Sequence, residues 1–447
     1  MALPVPPDAS GSPCLLERGR VEALVRSHLT RNGRYLDMVQ KYGSPLYFVD
    51  EAALADRARQ FRAAFESQLQ AVRCFYAVKS NNHPFLAKTL LGMGFGLDVS
   101  SGIELEGALA LGATDILFSG PGKTASELAL AAQHHERVTV LMDSFGELER
   151  LEREAAKRGL QVRAGVRLMS DERGLWRKFG IPLHDLYAFW EAASRCSHVT
   201  LCGLQFHASW NLNPGNQMAF IARLGQTLSA FEQEVLSRIE FVDIGGGYWP
   251  AQGEWLHPAD EANRSHPLET SASQRPPVHL PAVPIEQFAE KIGRALQEHL
   301  YPHLTCAIYL EPGRWVCHDA MHILLRVVDK KERELVITDA GTNTVGWERY
   351  ETDYFPVINL SRPSLEEVPC LILGSLCTPH DVWGYRYFGG AIEPNDVLLV
   401  PSQGAYTYSL RQRFIKPLPR VVIAKGSTII AWDDVPWEGS AGDTVLQ

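Results

Sequence analysis

The sequence lacks the features that mark membrane proteins, disulfide scaffolds and nucleic-acid-binding proteins. No apolar run approaches the roughly 18 residues that span a bilayer. The eight cysteines include no CxxC pair and no Cys/His spacing of a metal site. No block of lysine and arginine marks a surface that would bind a polyanion. We therefore expect neither a membrane partner, a bound metal nor a nucleic-acid partner.

The composition is that of a folded, mildly acidic protein of 447 residues. Hydrophobic residues make up 45% of the chain and charged residues 21%, which is enough apolar surface for a sizeable core. The formal net charge is −9. Residues 1–7 contain neither a basic stretch nor an apolar segment, so no signal peptide is expected and a cytoplasmic location is predicted.

From about residue 45, short apolar runs alternate with amphipathic helical patterns. Eight runs are strand candidates, at residues 73–78, 97–99, 115–118, 137–141, 161–168, 199–207, 240–244 and 306–310. Eight strand–helix units with buried strands are what a (β/α)8 barrel requires. The pattern predicts an α/β fold with such a TIM barrel over residues 45–315.

The pattern changes after residue 315 to many short strands separated by Gly, Pro and Asn turns. It predicts a mostly β C-terminal domain over residues 316–447. Residues 1–44 are predicted to form an N-terminal segment, which could pack on that domain. The polar stretch 250–284, rich in Pro, Ser and His, is predicted to be a loop inserted in the barrel.

In a barrel of this type, functional groups lie where strands end at the carboxyl face. The polar groups at predicted strand ends are Lys79, His207, Gly245, Gly246, Gly247 and Glu311. Each has an ordinary explanation when taken alone: a solvated charge, a satisfied core histidine, a tight turn and a salt bridge. Their convergence on one barrel mouth favours a functional site.

Together these groups have the chemistry of a pyridoxal 5'-phosphate site. An amine carried by an apolar strand favours bonding to an aldehyde, and glycine N–H groups approach a phosphate closely. A flat imidazole ring can stack on a planar cofactor, and a carboxylate keeps a pyridine nitrogen protonated. The glycines at 92, 94 and 96 precede a strand, so they do not fit a dinucleotide-binding fingerprint.

Several motifs occur in order along the chain: YAVKSN at 76–81, GLDVSSGIEL at 96–105, FSGPGK at 118–123, KFGI at 178–181, EPGR at 311–314, DAG at 339–341 and GAY at 404–406. They resemble those of the fold-type III pyridoxal-phosphate decarboxylases of the diaminopimelate and ornithine decarboxylase group. The resemblance runs from about residue 45 to 410.

The resemblance implies a role for each matching position. Lys79 would carry the cofactor aldehyde, His207 would stack on the ring, and Glu311 would pair with the pyridine nitrogen. Further cofactor contacts are implied for Ser209, Gly245, Gly246, Gly247, Gly313, Arg314 and Tyr406. Cys377 stands where the family has a cysteine that crosses a dimer interface and helps to protonate the product. A homodimer with shared active sites is therefore expected.

The resemblance also implies substrate contacts at Arg314, Arg349, Tyr354, Thr378 and Asp381. Two positions depart from the diaminopimelate decarboxylases. Thr378 replaces a glutamate that recognises the distal end of the substrate, and Trp347 replaces an arginine, with Arg349 close by. These changes remove charge that would complement the distal end of diaminopimelate.

The predicted function is removal of the α-carboxylate of an amino acid, giving an amine and carbon dioxide. The substrate would be diaminopimelate-, ornithine- or lysine-like, or a conjugated amino acid. One alternative is an amino-acid racemase or epimerase on the same barrel. Enzymes of that kind typically place an arginine at the pyridine nitrogen. Glu311 at this position therefore favours decarboxylation. The other alternative is a non-catalytic homologue that regulates a decarboxylase.

Overall fold

The computed structural model describes residues 14–257, 276–346 and 352–432. The strands of these residues are, in chain order, β1 (Cys14–Leu15), β2 (Leu46–Asp50), β3 (Val72–Ala77), β4 (Gly96–Val99), β5 (Ile116–Phe118), β6 (Val138–Met142), β7 (Val162–Leu168), β8 (Val199–Phe206), β9 (Phe241–Asp243), β10 (Glu254–Leu256), β11 (Val278–Leu280), β12 (Ala307–Leu310), β13 (Met321–Glu332), β14 (Leu335–Thr338), β15 (Val357–Asn359), β16 (Glu367–Leu373), β17 (Val382–Phe388), β18 (Val397–Val400), β19 (Arg420–Lys425) and β20 (Thr428–Trp432).

The α-helices of the same residues are α1 (Arg18–Leu29), α2 (Asn32–Tyr42), α3 (Glu51–Glu66), α4 (Pro84–Gly92), α5 (Gly102–Ala110), α6 (Ala125–Gln133), α7 (Phe145–Ala156), α8 (Leu186–Ser194), α9 (Gly215–Leu228), α10 (Gln233–Leu236), α11 (Ile285–His299) and α12 (Arg314–Cys317). The described residues divide into two compact units. The barrel unit contains Ala55–Ala251 and Val283–Val316. The β unit contains the described residues of Met1–Leu54, Gln252–Ala282 and Cys317–Asp434.

The barrel unit is built on a closed sheet of parallel strands in the order β12, β3, β4, β5, β6, β7, β8, β9. The eight predicted strands are confirmed, and each bound differs from its predicted value by at most one residue. Their side chains are almost all buried, as expected for a parallel sheet that carries helices on its outer face. The strands therefore end together at one mouth, where the loops to the following helices begin.

Side-chain caps fix where three of these helices begin at the mouth. The hydroxyls of Ser101, Thr124 and Ser144 accept hydrogen bonds from backbone N–H groups in the first turns of α5, α6 and α7. Each cap satisfies a donor that the helix itself leaves unpaired. The loops that end β4, β5 and β6 are thus held short and in place.

The β unit contains a nine-stranded sheet in the order β14, β16, β17, β15, β18, β13, β2, β19, β20. Strand β2 pairs antiparallel with β13 and parallel with β19. Residue 45 was the predicted start of the barrel, but the strand that follows it belongs to this sheet. The five residues of β2 are all buried, so their apolar pattern could not indicate which sheet they join.

Helices α1 and α2 also belong to the β unit. Val25, Tyr35 and Val39 lie in one hydrophobic cluster with Phe48 of β2 and Leu324 of β13. The first part of the chain therefore packs on the nine-stranded sheet.

The stretch 250–284, predicted to be a loop, contains two strands. Strand β11 pairs antiparallel with β10 and β1, forming a three-stranded sheet in the β unit. Its few apolar residues are separated by Pro and His, which hid these short strands in the sequence. Residues 258–275 of the predicted loop lie outside the described residues. Among the residues that the structure describes, no helix is long and apolar enough to cross a bilayer.

Candidate active site

Lys79 lies in the single 3-10 turn Val78–Ser80 that directly follows β3. Its Nζ is 2.9 Å from Oδ2 of Asp98, which lies in β4. The Lys79 side chain is 35% exposed whereas that of Asp98 is fully buried. The second oxygen of Asp98 accepts a hydrogen bond from the Ser119 hydroxyl. The ion pair thus holds an accessible amine at the barrel mouth.

Burial raises the pKa of Asp98, and the neighbouring Lys79 ammonium opposes that shift. The Glu311 carboxylate adds to the rise in the Asp98 pKa. The Lys79 ammonium therefore interacts with two acidic side chains of the same barrel, at the ends of β4 and β12.

Glu311 directly follows β12, and its side chain is 1% exposed. Its Oε1 accepts a hydrogen bond from Nε2 of Gln205 at 3.1 Å. Its Oε2 lies 3.2 Å from Nδ1 of His207. Burial by itself would raise the pKa of Glu311, but the contact with His207 and the charge of Lys79 outweigh it and lower the pKa to about 2. Glu311 is therefore an anion.

Asp243, the last residue of β9, lies beside Glu311. Burial raises its pKa well above the usual value, and the Glu311 charge raises it further. Its Oδ1 accepts a hydrogen bond from the Gly245 N–H at 2.8 Å. Two buried carboxyl groups that share a hydrogen bond do not both ionise readily. Of the two, Asp243 has the raised pKa and Glu311 the lowered one.

The three glycines after β9 allow close backbone approaches. Gly245 and Gly247 have φ values of 71° and 81°, which side chains rarely adopt. A Cβ at Gly246 would lie 2.3 Å from the Glu311 carbonyl oxygen, and one at Gly247 would lie 2.4 Å from that of Ala208. Packing within the barrel thus accounts for these glycines, and their phosphate contacts stay a prediction.

His207 and Ser209 follow β8 at the same mouth. Nδ1 of His207 lies 3.2 Å from the Gly246 N–H as well as near Glu311, and the side chain is 14% exposed. Burial lowers the pKa of His207 despite Glu311. Ser209 is half-buried, and the next residue, Trp210, has a φ of 56°. Such strained backbone is common at binding sites. The phosphate contact of Ser209 remains a prediction.

Gly313 and Arg314 end the same segment as Glu311. A Cβ at Gly313 would lie 2.9 Å from Cβ of Ser80, so glycine is needed for the segment to pass the Lys79 turn. The Arg314 guanidinium lies over the Trp249 ring, 4.4 Å from its centre. This cation–π contact orients Arg314. The cofactor and substrate contacts of both residues stay predictions.

Other predicted site residues lie in the β unit. Tyr406 is half-buried and has a φ of 57°, another strained conformation. Tyr354 is 8% exposed and contacts the His257 ring edge to face at 5.5 Å. Arg349 lies outside the described residues.

Cys377 and Thr378 lie in the loop between β16 and β17. Cys377 is exposed, and Thr378 is half-buried. Asp381, a predicted substrate contact, is only 1% exposed. Its oxygens accept hydrogen bonds from the N–H groups of Thr342 and Leu376, each at 2.7 Å. With an N–H group bonded to each oxygen, Asp381 supports the loop that carries Cys377. The substrate contact of Asp381 stays a prediction.

The barrel residues suit pyridoxal 5'-phosphate. Lys79 offers an accessible amine for the aldehyde, and Glu311 is anionic, as a partner of a protonated pyridine nitrogen must be. The ring of His207, which contacts both Glu311 and Gly246, remains partly exposed. This donor set supplies an amine, a flat ring and a carboxylate at one mouth.

Sequence reasoning missed four polar residues of this site: Asp98, Ser119, Gln205 and Asp243. All lie at or near strand ends, so the rule that found Lys79 could have found them. Asp98 and Ser119 lie within motifs that carried the resemblance. Their partners, however, come from neighbouring strands and are not adjacent in the sequence.

Known proteins resemble this chain over most of its length. A diaminopimelate decarboxylase from Methanothermobacter thermautotrophicus is 26% identical over 426 residues, covering 91% of this chain and 92% of that protein. An L-glutamyl-BtrI acyl-carrier protein decarboxylase from Niallia circulans is 26% identical over 403 residues, covering 83% and 86%.

A crystal structure of diaminopimelate decarboxylase from M. jannaschii superposes with a TM-score of 0.76 at 22% identity, covering 92% of this chain and 94% of that one. This likeness confirms the fold. The family model described as the pyridoxal binding domain of pyridoxal-dependent decarboxylases matches residues 52–318, more than half of the chain. The protein therefore belongs to the pyridoxal-dependent decarboxylase family.

Proposed function

We propose that this protein is an amino-acid α-decarboxylase in which Lys79, His207 and Glu311 hold the cofactor. The observation that carries the proposal is Glu311, a buried anion fixed by Gln205 and His207 and facing the charge of Lys79. A carboxylate at the pyridine nitrogen keeps that nitrogen protonated, which favours loss of carbon dioxide from the α-carbon.

The mechanism assigns a task to each of four residues: Lys79, His207, Glu311 and Cys377. Pyridoxal 5'-phosphate, when bound, would supply an electron sink for the α-carbon that loses its carboxylate. Lys79 would hold its aldehyde, His207 would support one face of its ring, and Glu311 would lie as a carboxylate at its nitrogen. A proton then returns to the α-carbon from Cys377 or Lys79. One amino acid and one proton give one amine and one carbon dioxide.

The substrate in this proposal has a distal end unlike that of diaminopimelate. Thr378 carries no charge, and it lies beside Cys377 in a loop held by Asp381. A hydroxyl cannot supply the ionic partner that a distal ammonium group requires. A conjugated amino acid whose distal end carries no ammonium group meets this condition, whereas lysine and ornithine carry one, and the name of the Niallia circulans relative describes a conjugated glutamyl substrate.

A substrate panel tests the proposal. Release of carbon dioxide would be measured from meso-diaminopimelate, lysine, ornithine and amide conjugates of acidic amino acids, with chiral analysis of the remaining substrate. We expect decarboxylation without inversion, and diaminopimelate as a poor substrate. The matched variant Thr378→Glu should improve the use of diaminopimelate and lysine, which carry a distal ammonium group, relative to the amide conjugates. Inversion without carbon dioxide would indicate a racemase, and fastest turnover of diaminopimelate would refute the substrate proposal.

The active site is proposed to be shared across a homodimer. Cys377 is exposed in the single chain, where a thiol is poorly placed to protonate a product in a water-free site. Mixing inactive Lys79→Ala and Cys377→Ala proteins tests this. If each site combines both chains, reassorted dimers would regain about a quarter of the wild-type activity, because half the dimers are mixed and each has one intact site. No recovery from a mixture shown to exchange subunits would exclude a shared site.

A further inference from the structure

Two buried residues behind Glu311 have no place in the mechanism above. Gln205 and Asp243 are direct register partners on the neighbouring parallel strands β8 and β9, and both are 0% exposed. Strand β9 in turn pairs with β12, which leads into Glu311. The side chains of register partners on parallel strands point to the same face of the sheet. Both therefore meet Glu311 from one side.

The hydrogen bonds of Gln205 and Asp243 fix which atoms face Glu311. Gln205 donates through Nε2 to Oε1 of Glu311, and its Oε1 is buried with no partner among the described residues. The reverse orientation of the amide would place its oxygen against a carboxylate. Oδ2 of Asp243 is buried and receives no N–H or O–H donor from the described residues, while Oδ1 accepts from Gly245. The Asp243 and Glu311 carboxyl groups lie within hydrogen-bonding reach of each other, a contact that requires a proton on one of them. A bare charge on Oδ2 beside Glu311 would be unfavourable.

We propose that Gln205 and Asp243 are positioning residues that present Glu311 as an anion: the Gln205 amide fixes one carboxylate oxygen, and Asp243 holds the single proton of the carboxyl pair. The directions of the two pKa shifts, raised for Asp243 and lowered for Glu311, agree with this division. The inference rests on the proposed function only where it assigns Glu311 to the cofactor nitrogen.

The proton on Asp243 can be measured without the cofactor. A protonated carboxylic acid has its own C=O stretch in the infrared spectrum, separate from that of a carboxylate. In the full-length cofactor-free protein at neutral pH, we expect Asp243→Asn to remove one such band. Asn preserves the shape of a neutral Asp, so the variant should still bind the cofactor. A band unchanged by Asp243→Asn would overturn the assignment of the proton.

Gln205→Met tests the amide. Met has a similar length but donates no hydrogen bond, so cofactor affinity should fall about 10- to 100-fold, the value of a hydrogen bond to a charged group. The pH at which the bound cofactor changes its absorption spectrum should also move. Gln217→Met is the matched control, because Gln217 is equally buried but donates to the Ile244 carbonyl at 3.0 Å. Equal spectral changes in the two variants would exclude a specific role for Gln205.

If Gln205→Met does not fold, Gln205→Glu provides the second variant. It adds a third carboxyl group at the same place, and we expect an additional protonated-acid band in the cofactor-free protein. Absence of that band would mean that a second ionised carboxylate is tolerated beside Glu311, and it would refute the proposal. Failure of the proposed function has a different signature, since wild-type protein would then give no borohydride-trapped cofactor on Lys79 while the infrared bands stayed as described.

Discussion

Two lysines at the barrel mouth form ion pairs with acidic side chains, yet their surroundings differ. Lys79 is 35% exposed and pairs with Asp98. Lys123 is fully buried, and its Nζ donates to Glu147 at 2.7 Å and to the carbonyls of Gly120 and Leu141 at 2.6 and 2.8 Å. The Lys123 ammonium has only three donors, and all are used. Lys123 holds three segments together, whereas the Lys79 side chain is partly exposed to solvent.

The contrast shows that position at a strand end does not by itself make a lysine functional. Burial lowers the pKa of Lys123 and the Glu147 carboxylate opposes that shift, so the pair is retained as a buried unit. A reacting amine must exchange partners, which a fully bonded ammonium cannot do without loss of its contacts. Accessibility is therefore the property that separates the two lysines.

The largest expected effect follows removal of the Lys79 amine. Lys79→Ala should lower carbon dioxide release on the order of 10³-fold or more, because the group that holds the cofactor is lost. It should also abolish the borohydride-trapped adduct while Tm changes by only a few degrees, since the side chain is partly exposed. Lys157→Ala is the control, an exposed lysine paired with Glu154. A fully active Lys79→Ala protein would refute the mechanism.

Lys123→Met should lower the free energy of unfolding, whereas Lys79→Ala should mainly lower the rate of decarboxylation. Removing one partner of a buried ion pair typically costs about 3–5 kcal/mol, because the other charge stays buried without compensation. Urea unfolding would measure the loss, and the folded fraction should still give the cofactor adduct. The double variant Lys123→Met/Glu147→Leu should recover much of the stability. Loss of the cofactor adduct in a stably folded Lys123→Met protein would contradict a purely structural role for Lys123.

Two histidines of the β unit, His28 and His322, are buried in its core and make stability depend on pH. Burial, aided by neighbouring charges, lowers the pKa of His28 to about 2 and that of His322 to about 3. The unfolded chain, with a histidine pKa of about 6.5, then binds more protons below that pH, so stability falls as the pH decreases from about 6.5 towards 3. Each histidine should cost about 2 kcal/mol at pH 5 relative to pH 7.5.

Urea midpoints at the two pH values test this dependence. His322→Asn keeps an acceptor for the Ser402 N–H, which donates to His322 Nδ1 at 3.0 Å, but it does not titrate. The variant should lose part of the pH dependence. His184→Asn is the control, because that side chain is 71% exposed. An unchanged pH slope in His322→Asn would show that the core histidines do not determine acid stability.

The smallest expected effect concerns the residue next to Lys123. Thr124 caps α6 through a reciprocal pair of hydrogen bonds with Glu127, at 2.8 and 3.3 Å. Thr124→Ala should lower the free energy of unfolding by about 1 kcal/mol, the usual value of an N-cap. Thermal unfolding would measure it. A loss as large as that of Lys123→Met would mean that the loop, and not the buried charge, carries the stability.

The sequence identified the site residues that lie directly after long apolar strands. Lys79, His207 and Glu311 were predicted from their place after such strands, and the structure brings all three to one mouth. Gln205 and Asp243 were missed because each is the polar member of a strand that otherwise appears as continuous apolar sequence. Both residues contact Glu311, which is 106 residues from Gln205 in the chain, so their role could not be inferred from neighbouring sequence.

The β unit was harder to predict for a related reason. Short strands such as β10 and β11 have weak periodicity, and they form because of their pairing with distant residues. The sequence could not show that Asp381 supports the loop after β16. That role depends on the N–H groups of Thr342 and Leu376, which only the tertiary structure brings close to its carboxylate.

By itself, the sequence determined the eight barrel strands, the strand ends that carry polar groups and the resemblance to a decarboxylase family. Those properties depend on local periodicity and on motifs a few residues long. Tertiary structure alone decided which of two lysines is accessible and which of two buried carboxyl groups has its pKa raised. Both outcomes depend on burial and on charges brought together from separate strands, and a linear pattern contains no measure of either.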